Sequence, residues 1–251
     1  DIKKSHNSRS HSRKSIFVAV ALTPVFLYFL LFSIYPIVSA FYISFHDWGL
    51  MEREHLFIGL DNYKWVFSDS TFWLVIKNTL VFALLNVTGQ VIFGLLIAIF
   101  INSLHKKSVT FMRTIVFIPV VTSMVAASLM FTWLYQPSFG LINYILSFLG
   151  LGPYDFLTSS TQVIPSIVLM TVWKNVGYTT VIFIAGLTTI PRDIYEAAEI
   201  DGSNKVYQFY RITLPLLKPT TMFVCVTCMI SSLQVFTQIY TMTKGGPGNA
   251  F

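Results

Sequence analysis

The chain has 251 residues, 54% of them hydrophobic and only 11% charged, against the roughly 25% charged residues of an ordinary soluble domain. That composition excludes a soluble fold and points to a polytopic protein of the lipid bilayer. The net charge of +6 does not call for nucleic acid, because the basic residues gather at the ends of apolar stretches.

Crossing the hydrocarbon layer takes about 20 mostly apolar residues per helix, and lipid offers an open backbone no partner, so each span must be helical. Five stretches qualify: 16–43, 72–101, 114–135, 163–188 and 220–242. Residues 1–15 form a Ser-, Lys- and Arg-rich tail with almost nothing to bury, expected to be disordered. The first span is too long for a signal-peptide core and lacks an A-x-A-like cleavage site, so it reads as retained. Residues 45–71 form a polar loop in which Trp48, Tyr63 and Trp65 are placed as interfacial anchors. The second span carries Asn86 and Gln90 four residues apart. Residues 136–162 contain no Lys or Arg, and 141–149 are expected to form a short helix in the interface. Trp173, Lys174, Asn175 and Tyr178 cluster in the fourth span, and Ser231, Gln234 and Gln238 are expected along one face of the fifth.

Twelve of the 17 Lys and Arg residues fall on one side of this pattern: Lys3, Lys4, Arg9, Arg13 and Lys14, then Lys106, Lys107 and Arg113, then Arg192, Lys205, Arg211 and Lys218. Arg53, Lys64, Lys77 and Lys244 fall on the other. The positive-inside rule therefore predicts that the N-terminus and the loop around Glu196 are cytoplasmic. Cys225 and Cys228 form a C-x-x-C inside a span with no His or second Cys pair nearby, and read as small apolar side chains, not as a redox or metal pair. His6, His11, His46, His55 and His105 are scattered without ligand spacing, so no metal site is expected.

The loop 190–219 is polar, charged and Gly-punctuated between two apolar spans. Thr189 is read as an N-cap, with Pro191 in the first turn and Asp193 and Glu196 at the positive end of the dipole, so a helix is expected from about Ile190. Asp201 and Gly202 should end it. Ser203 is read as the cap of a second short helix with Val206, Phe209 and Tyr210 on one face, which Pro215 and Pro219 separate from the next span.

Within this loop Glu196, Ala197 and Ala198, then Gly202, then Ile212, Leu214, Pro215 and Pro219 stand at the spacing of the EAA motif. The chain thereby resembles the inner-membrane permease subunits of bacterial ABC importers, most similar to their carbohydrate-uptake, maltose-type branch. The string FIGLDNYKWVF at 57–67 with Asn78–Leu80 after it, and GGPGNAF at 245–251, resemble further landmarks of the same family. The resemblance runs from Pro24 onward and implies an all-α, polytopic helical bundle, the transmembrane domain of a type I ABC importer. It implies a sixth span beyond the five, a second homologous permease, two ABC ATPase subunits, an extracytoplasmic solute-binding protein and a location in the bacterial cell (inner) membrane.

In that family the loop is the coupling helix, so Glu196, Ala197, Ala198, Asp201, Gly202, Phe209, Ile212, Leu214 and Pro215 are expected to contact an ATPase. Close docking explains the residue types: Ala197 and Ala198 permit near approach, Gly202 permits the turn, and Glu196 offers a charge. The chain has no G-x-x-x-x-G-K-[ST] loop, so ATP and magnesium are expected on the partners and no cofactor or catalytic residue here.

Polar residues inside spans line a cavity or pair with one another. Asn86, Gln90, Trp173, Asn175, Tyr178 and Gln234 are candidates for a sugar path, since amides, hydroxyls and rings suit a sugar's hydroxyls and C–H faces. The competing reading for each is that it ties helices together. Glycerol phosphate and polyol permeases share the landmarks and stay open as substrates. An ion-coupled secondary transporter should show inverted repeats and in-span carboxylates, yet none of the eleven Asp and Glu residues lies in a predicted span.

Overall fold

The computed structural model describes residues 17–49 and 55–247. The basic tail, Arg53 and the last four residues lie outside that range, and with them the disorder expected for the tail and most of the C-terminal landmark. The chain divides into two compact units, with the boundary between Phe72 and Trp73.

In the first unit, helix α1 (Phe17–Ile43) is apolar on every side and has no buried residue in its most hydrophobic window, the pattern of a helix whose solvent is lipid. It contains a π-turn at Leu30–Ile34 directly before Pro36, whose missing N–H and bulky ring interrupt the normal i→i−4 ladder. Two short strands, β1 (His46–Asp47) and β2 (Leu56–Phe57), then pair antiparallel with His46 opposite Phe57. Asn62 holds this small hairpin by donating to the carbonyls of Ser44 and His46 at 3.0 and 3.1 Å. Asn62 lies on helix α2 (Asp61–Ser68). Apart from this hairpin the described residues are helical, with turns and loops between.

The second unit is built around helix α7 (Val163–Thr188), fourteen of whose residues are buried. Around it lie α3 (Ser70–Asn102), α4 (Lys106–Val121), α5 (Met124–Leu134), α6 (Leu141–Phe148), α10 (Lys218–Leu233) and α11 (Thr237–Thr243). Two apolar clusters form at different levels of α7. One joins Val163, Ile167 and Met170 to Phe82, Phe131, Tyr135, Ile239 and Met242. The other joins Phe183, Ile184 and Ile190 to Val87, Leu95, Ala98, Ile101, Leu217 and Val224. Between them α7 carries a polar belt from Thr171 to Thr180.

Two expected spans are not single helices. The stretch 114–135 turns by 93° between α4 and α5. Pro119 precedes the turn and Ser123 has extended backbone, and each interrupts the helical ladder. The stretch 220–242 stops at Leu233 and resumes at Thr237. That interruption separates Ser231 from Gln238, so Ser231 and Gln234 are exposed while Gln238 is buried beyond the break, and the single face expected for the three residues does not form.

Candidate functional site

The loop between α7 and α10 folds as helix, turn, helix: α8 (Arg192–Ile200) and α9 (Lys205–Leu216). Its start and internal cap differ from the sequence reading. Thr189 donates from Oγ1 back to Gly186 O at 2.7 Å, closing α7, and the N-cap of α8 is Pro191. Asn204, not Ser203, caps α9, its Oδ1 accepting from Tyr207 N at 2.8 Å. Ser203 closes α8 instead. Its N–H reaches Ala198 O at 2.9 Å while Gly202 N reaches Glu199 O at 3.0 Å, the paired bonds of a Schellman end, with Gly202 left-handed at φ +77°.

On α9 Gln208 and Thr213 are buried, and Gln208 donates to Ser203 Oγ at 3.3 Å. Phe209, Ile212 and Leu214 are half-buried, whereas Val206 and Tyr210 are exposed, so of the three residues read on one face only Phe209 packs against the core. The π-turn at Phe209–Thr213 rotates the helix before Pro215. Tyr195 Oη and Thr213 Oγ1 lie 2.9 Å apart and tie α8 to α9. Lys205 pairs with Glu199, whose carboxyl is held below the usual carboxylate range by that hydrogen bond and charge. Glu196, Ala197, Asp201, Gly202 and Pro215 are exposed and Ala198 is half-buried. Glu196, Ala197, Asp201, Gly202 and Pro215 thus present an open surface on the hairpin. None of the ties just described, through Gln208, Tyr195, Thr213 or Asn204, was singled out from sequence. Only the Asn204 cap had a readable signal, a polar side chain directly before a helix.

In the polar belt of α7, a cavity of about 180 Å³ is lined by Gln90, Val120, Asn175, Tyr178, Thr227, Cys228 and Ser231. It therefore gathers residues of α3, α4, α7 and α10. Among the described residues the side chains of Asn175 and Tyr178 have no hydrogen-bond partner, and Tyr178 is half exposed. Other belt residues are already engaged. Gln90 donates to Asn86 Oδ1 at 3.3 Å, Cys228 Sγ donates to Gln90 Oε1 at 3.7 Å, and Thr179 Oγ1 reaches Gln90 O at 3.3 Å. Asn86, buried, donates to Ser232 Oγ at 2.8 Å and does not line the cavity. Trp173 and Gln234 do not line it either: Trp173 packs on Phe131 with ring centroids 5.1 Å apart, and Gln234 caps α10.

Lys174, for which the sequence names no partner, is buried and donates from Nζ to Val120 O at 3.4 Å. Among the described residues, no group of three or more His, Cys, Asp or Glu residues is placed to hold a metal ion. Cys225 and Cys228 are both free thiols. What the cavity offers is an amide, a phenol and hydroxyls at mid-span with no charged lining, a surface that can exchange hydrogen bonds with an uncharged polar solute.

The pattern has close relatives. A trehalose/maltose transport system permease protein of Thermococcus litoralis is 37% identical over 229 residues, covering 91% of this chain and 77% of its own. A probable ABC transporter permease protein of Bacillus subtilis is 35% identical over 227 residues, covering 89% and 78%. The crystal structure of a bacterial alginate ABC transporter in complex with alginate pentasaccharide-bound periplasmic protein contains a chain that superposes with a TM-score of 0.82 at 26% identity, covering 96% of this chain and 80% of that one. The model of the binding-protein-dependent transport system inner membrane component matches residues 90–251, which include both the cavity and the helical hairpin. This chain belongs to that family of inner-membrane transport components.

Proposed function

We propose that the chain is a permease subunit that imports a sugar or oligosaccharide, with the belt cavity as part of the path and the α8–α9 hairpin as the contact for ATPase subunits. The observation that carries the substrate reading is the pair Asn175 and Tyr178, polar side chains without partners that face a cavity at mid-membrane depth. Leaving them so is costly in lipid unless a solute or water meets them. An uncharged lining of amide, hydroxyl and ring matches a carbohydrate's hydroxyls and C–H faces, and relatives carry trehalose, maltose and alginate in their names or complexes.

A second homologous permease completes the path, a solute-binding protein delivers the sugar from outside, and two ATPase subunits bind ATP and magnesium. With the N-terminus and hairpin cytoplasmic, closure of the ATPase pair moves the hairpin. The spans then rotate and the cavity alternates between the two sides. Gln90 belongs to the path wall, while Asn86 acts behind it as a tie. The test is uptake of labelled maltose, trehalose and longer oligosaccharides by the complete complex in vesicles. Asn175→Ala and Tyr178→Ala should each lower uptake at least severalfold with basal ATP hydrolysis and assembly retained. Normal uptake in both variants would move the sugar path to the partner subunit.

A further inference from the structure

We propose that Lys174 is a positioning residue for transport: its ammonium pins the Val120 carbonyl at the break between α4 and α5 and so fixes one wall of the cavity. The inference rests on the reading of that cavity as the path. In an unbroken helix Val120 O would accept from the N–H of Met124, but the 93° turn takes that donor away. A carbonyl left open at membrane depth is costly. The Lys174 side chain, itself only 6% exposed, fills the place at 3.4 Å.

Charge leads to the same assignment. A mid-span ammonium is expensive and needs a ligand. Both ion pairs among the described residues lie elsewhere, at Lys64 with Asp61 and Lys205 with Glu199. The ammonium therefore serves the broken helix instead of a carboxylate. A second contact one turn further on α7 aligns the two helices. A Cβ added at Gly177 would collide with Val116 O and lie 2.9 Å from Val120 Cγ2, so the backbones touch there. Gly177 sets the approach and Lys174 sets the break. Val120 itself lines the cavity beside Asn175, the next residue after Lys174. A shift of the Val120 carbonyl therefore changes the cavity wall directly.

The experiment uses the assembled complex in lipid, with Cys225 and Cys228 left in place and spin labels attached through unnatural amino acids at the exposed positions Ile118 and Met130, which flank the break. Lys174→Met keeps the length and removes the donors. It should broaden the label-to-label distance distribution and lower kcat/KM for sugar uptake about tenfold, the scale of one lost charged hydrogen bond. Lys174→Arg should restore a narrow distribution and most of the uptake. Should the Met variant fail to assemble, Lys174→Gln is measured in its place, with an intermediate broadening expected. An unchanged distribution in the Met or Gln variant overturns the pin whatever uptake does. A broadened distribution with wild-type uptake overturns the link to transport. A narrow wild-type distribution that broadens in the Met variant, in a complex that imports no sugar, upholds the pin and defeats the sugar reading instead.

Discussion

Asn86 on α3 and Ser232 on α10, separated by 146 positions in the chain, share a buried hydrogen bond of 2.8 Å from Nδ2 to Oγ. Both side chains make a second bond, because Asn86 Oδ1 accepts from Gln90 and Ser232 Oγ donates to Cys228 O at 2.7 Å. Pairs of this kind in membranes average about 0.6 kcal/mol of coupling and reach about 1.7 kcal/mol. A double-mutant cycle of Asn86→Ala and Ser232→Ala on unfolding of the solubilised complex should fall in that range. The KM for sugar should stay within about twofold, as expected of a residue that ties helices and does not touch solute. Zero coupling with a raised KM would return Asn86 to the path.

This pair also marks where sequence reading stopped. Apolar length made α7 readable, and Gly202 between two polar runs made the helical hairpin readable, because each signal is local. Whether an in-span amide meets a solute or a neighbouring helix depends on how that helix is rotated against others. Asn86 and Asn175 therefore look alike in sequence, yet one is bonded and the other faces a cavity. The breaks at Thr122–Ser123 and 234–236 were missed because both flanks are apolar, and a hydropathy window averages across a turn. Pro119 was the local cue. Caps failed by one to two residues where candidates are neighbours: Thr189 against Pro191, Ser203 against Asn204.

At Gly177 the backbones of α7 and α4 touch, with Val116 O in the place a side chain would occupy. Gly177→Val should push the helices apart at a cost of about 1–3 kcal/mol. Reduced thermal stability and lower yield of assembled complex measure it. A helix already separated by lipid would show neither change.

The distribution of basic residues predicts a topology with the N-terminus and Gly202 inside and Asp61 and Asp155 outside. In a background without Cys225 and Cys228, Asp155→Cys should react with an impermeant thiol reagent in intact cells. Gly202→Cys should react only after permeabilisation. The reverse pattern would invert the assignment of the hairpin to the ATPase side.

The Glu199–Lys205 pair gives the hairpin a pH dependence of known sign. The folded-state pKa of Glu199 is depressed by Lys205, so the pair's contribution is complete above the ordinary carboxylate range of about 4.3 and is lost as pH falls through the lower folded value. Because both partners are exposed, the effect should shrink in about 1 M salt, where screening is nearly complete. Titration of the Glu199 carboxyl by NMR should show most of the depression lost in Lys205→Met, with the smaller contribution of Gln208 retained. An unchanged value in that variant would assign the shift to another neighbour.

The hairpin is proposed to transmit ATP hydrolysis without touching solute, and Gly202 separates backbone strain from steric blockage there. A Cβ at Gly202 meets open space, since no atom lies within 4 Å of it, but φ is +77°. Gly202→Ala should therefore cost only about 1 kcal/mol and leave uptake largely intact. Gly202→Pro cannot reach that angle, because its ring holds φ near about −65°, and it must undo the Schellman end that Ser203 closes on Ala198. Ala198→Trp leaves the backbone alone and adds bulk where a partner is expected to dock. Both severe variants should abolish uptake with the spans still inserted, while the Ala variant transports. Co-purification of the ATPase subunits and substrate-stimulated ATP hydrolysis in reconstituted membranes are the two readouts. Wild-type values for both in Gly202→Pro and Ala198→Trp would remove the hairpin from the coupling path, whereas loss of ATPase binding in Ala198→Trp alone would place the contact on α8 and leave the turn a purely structural role.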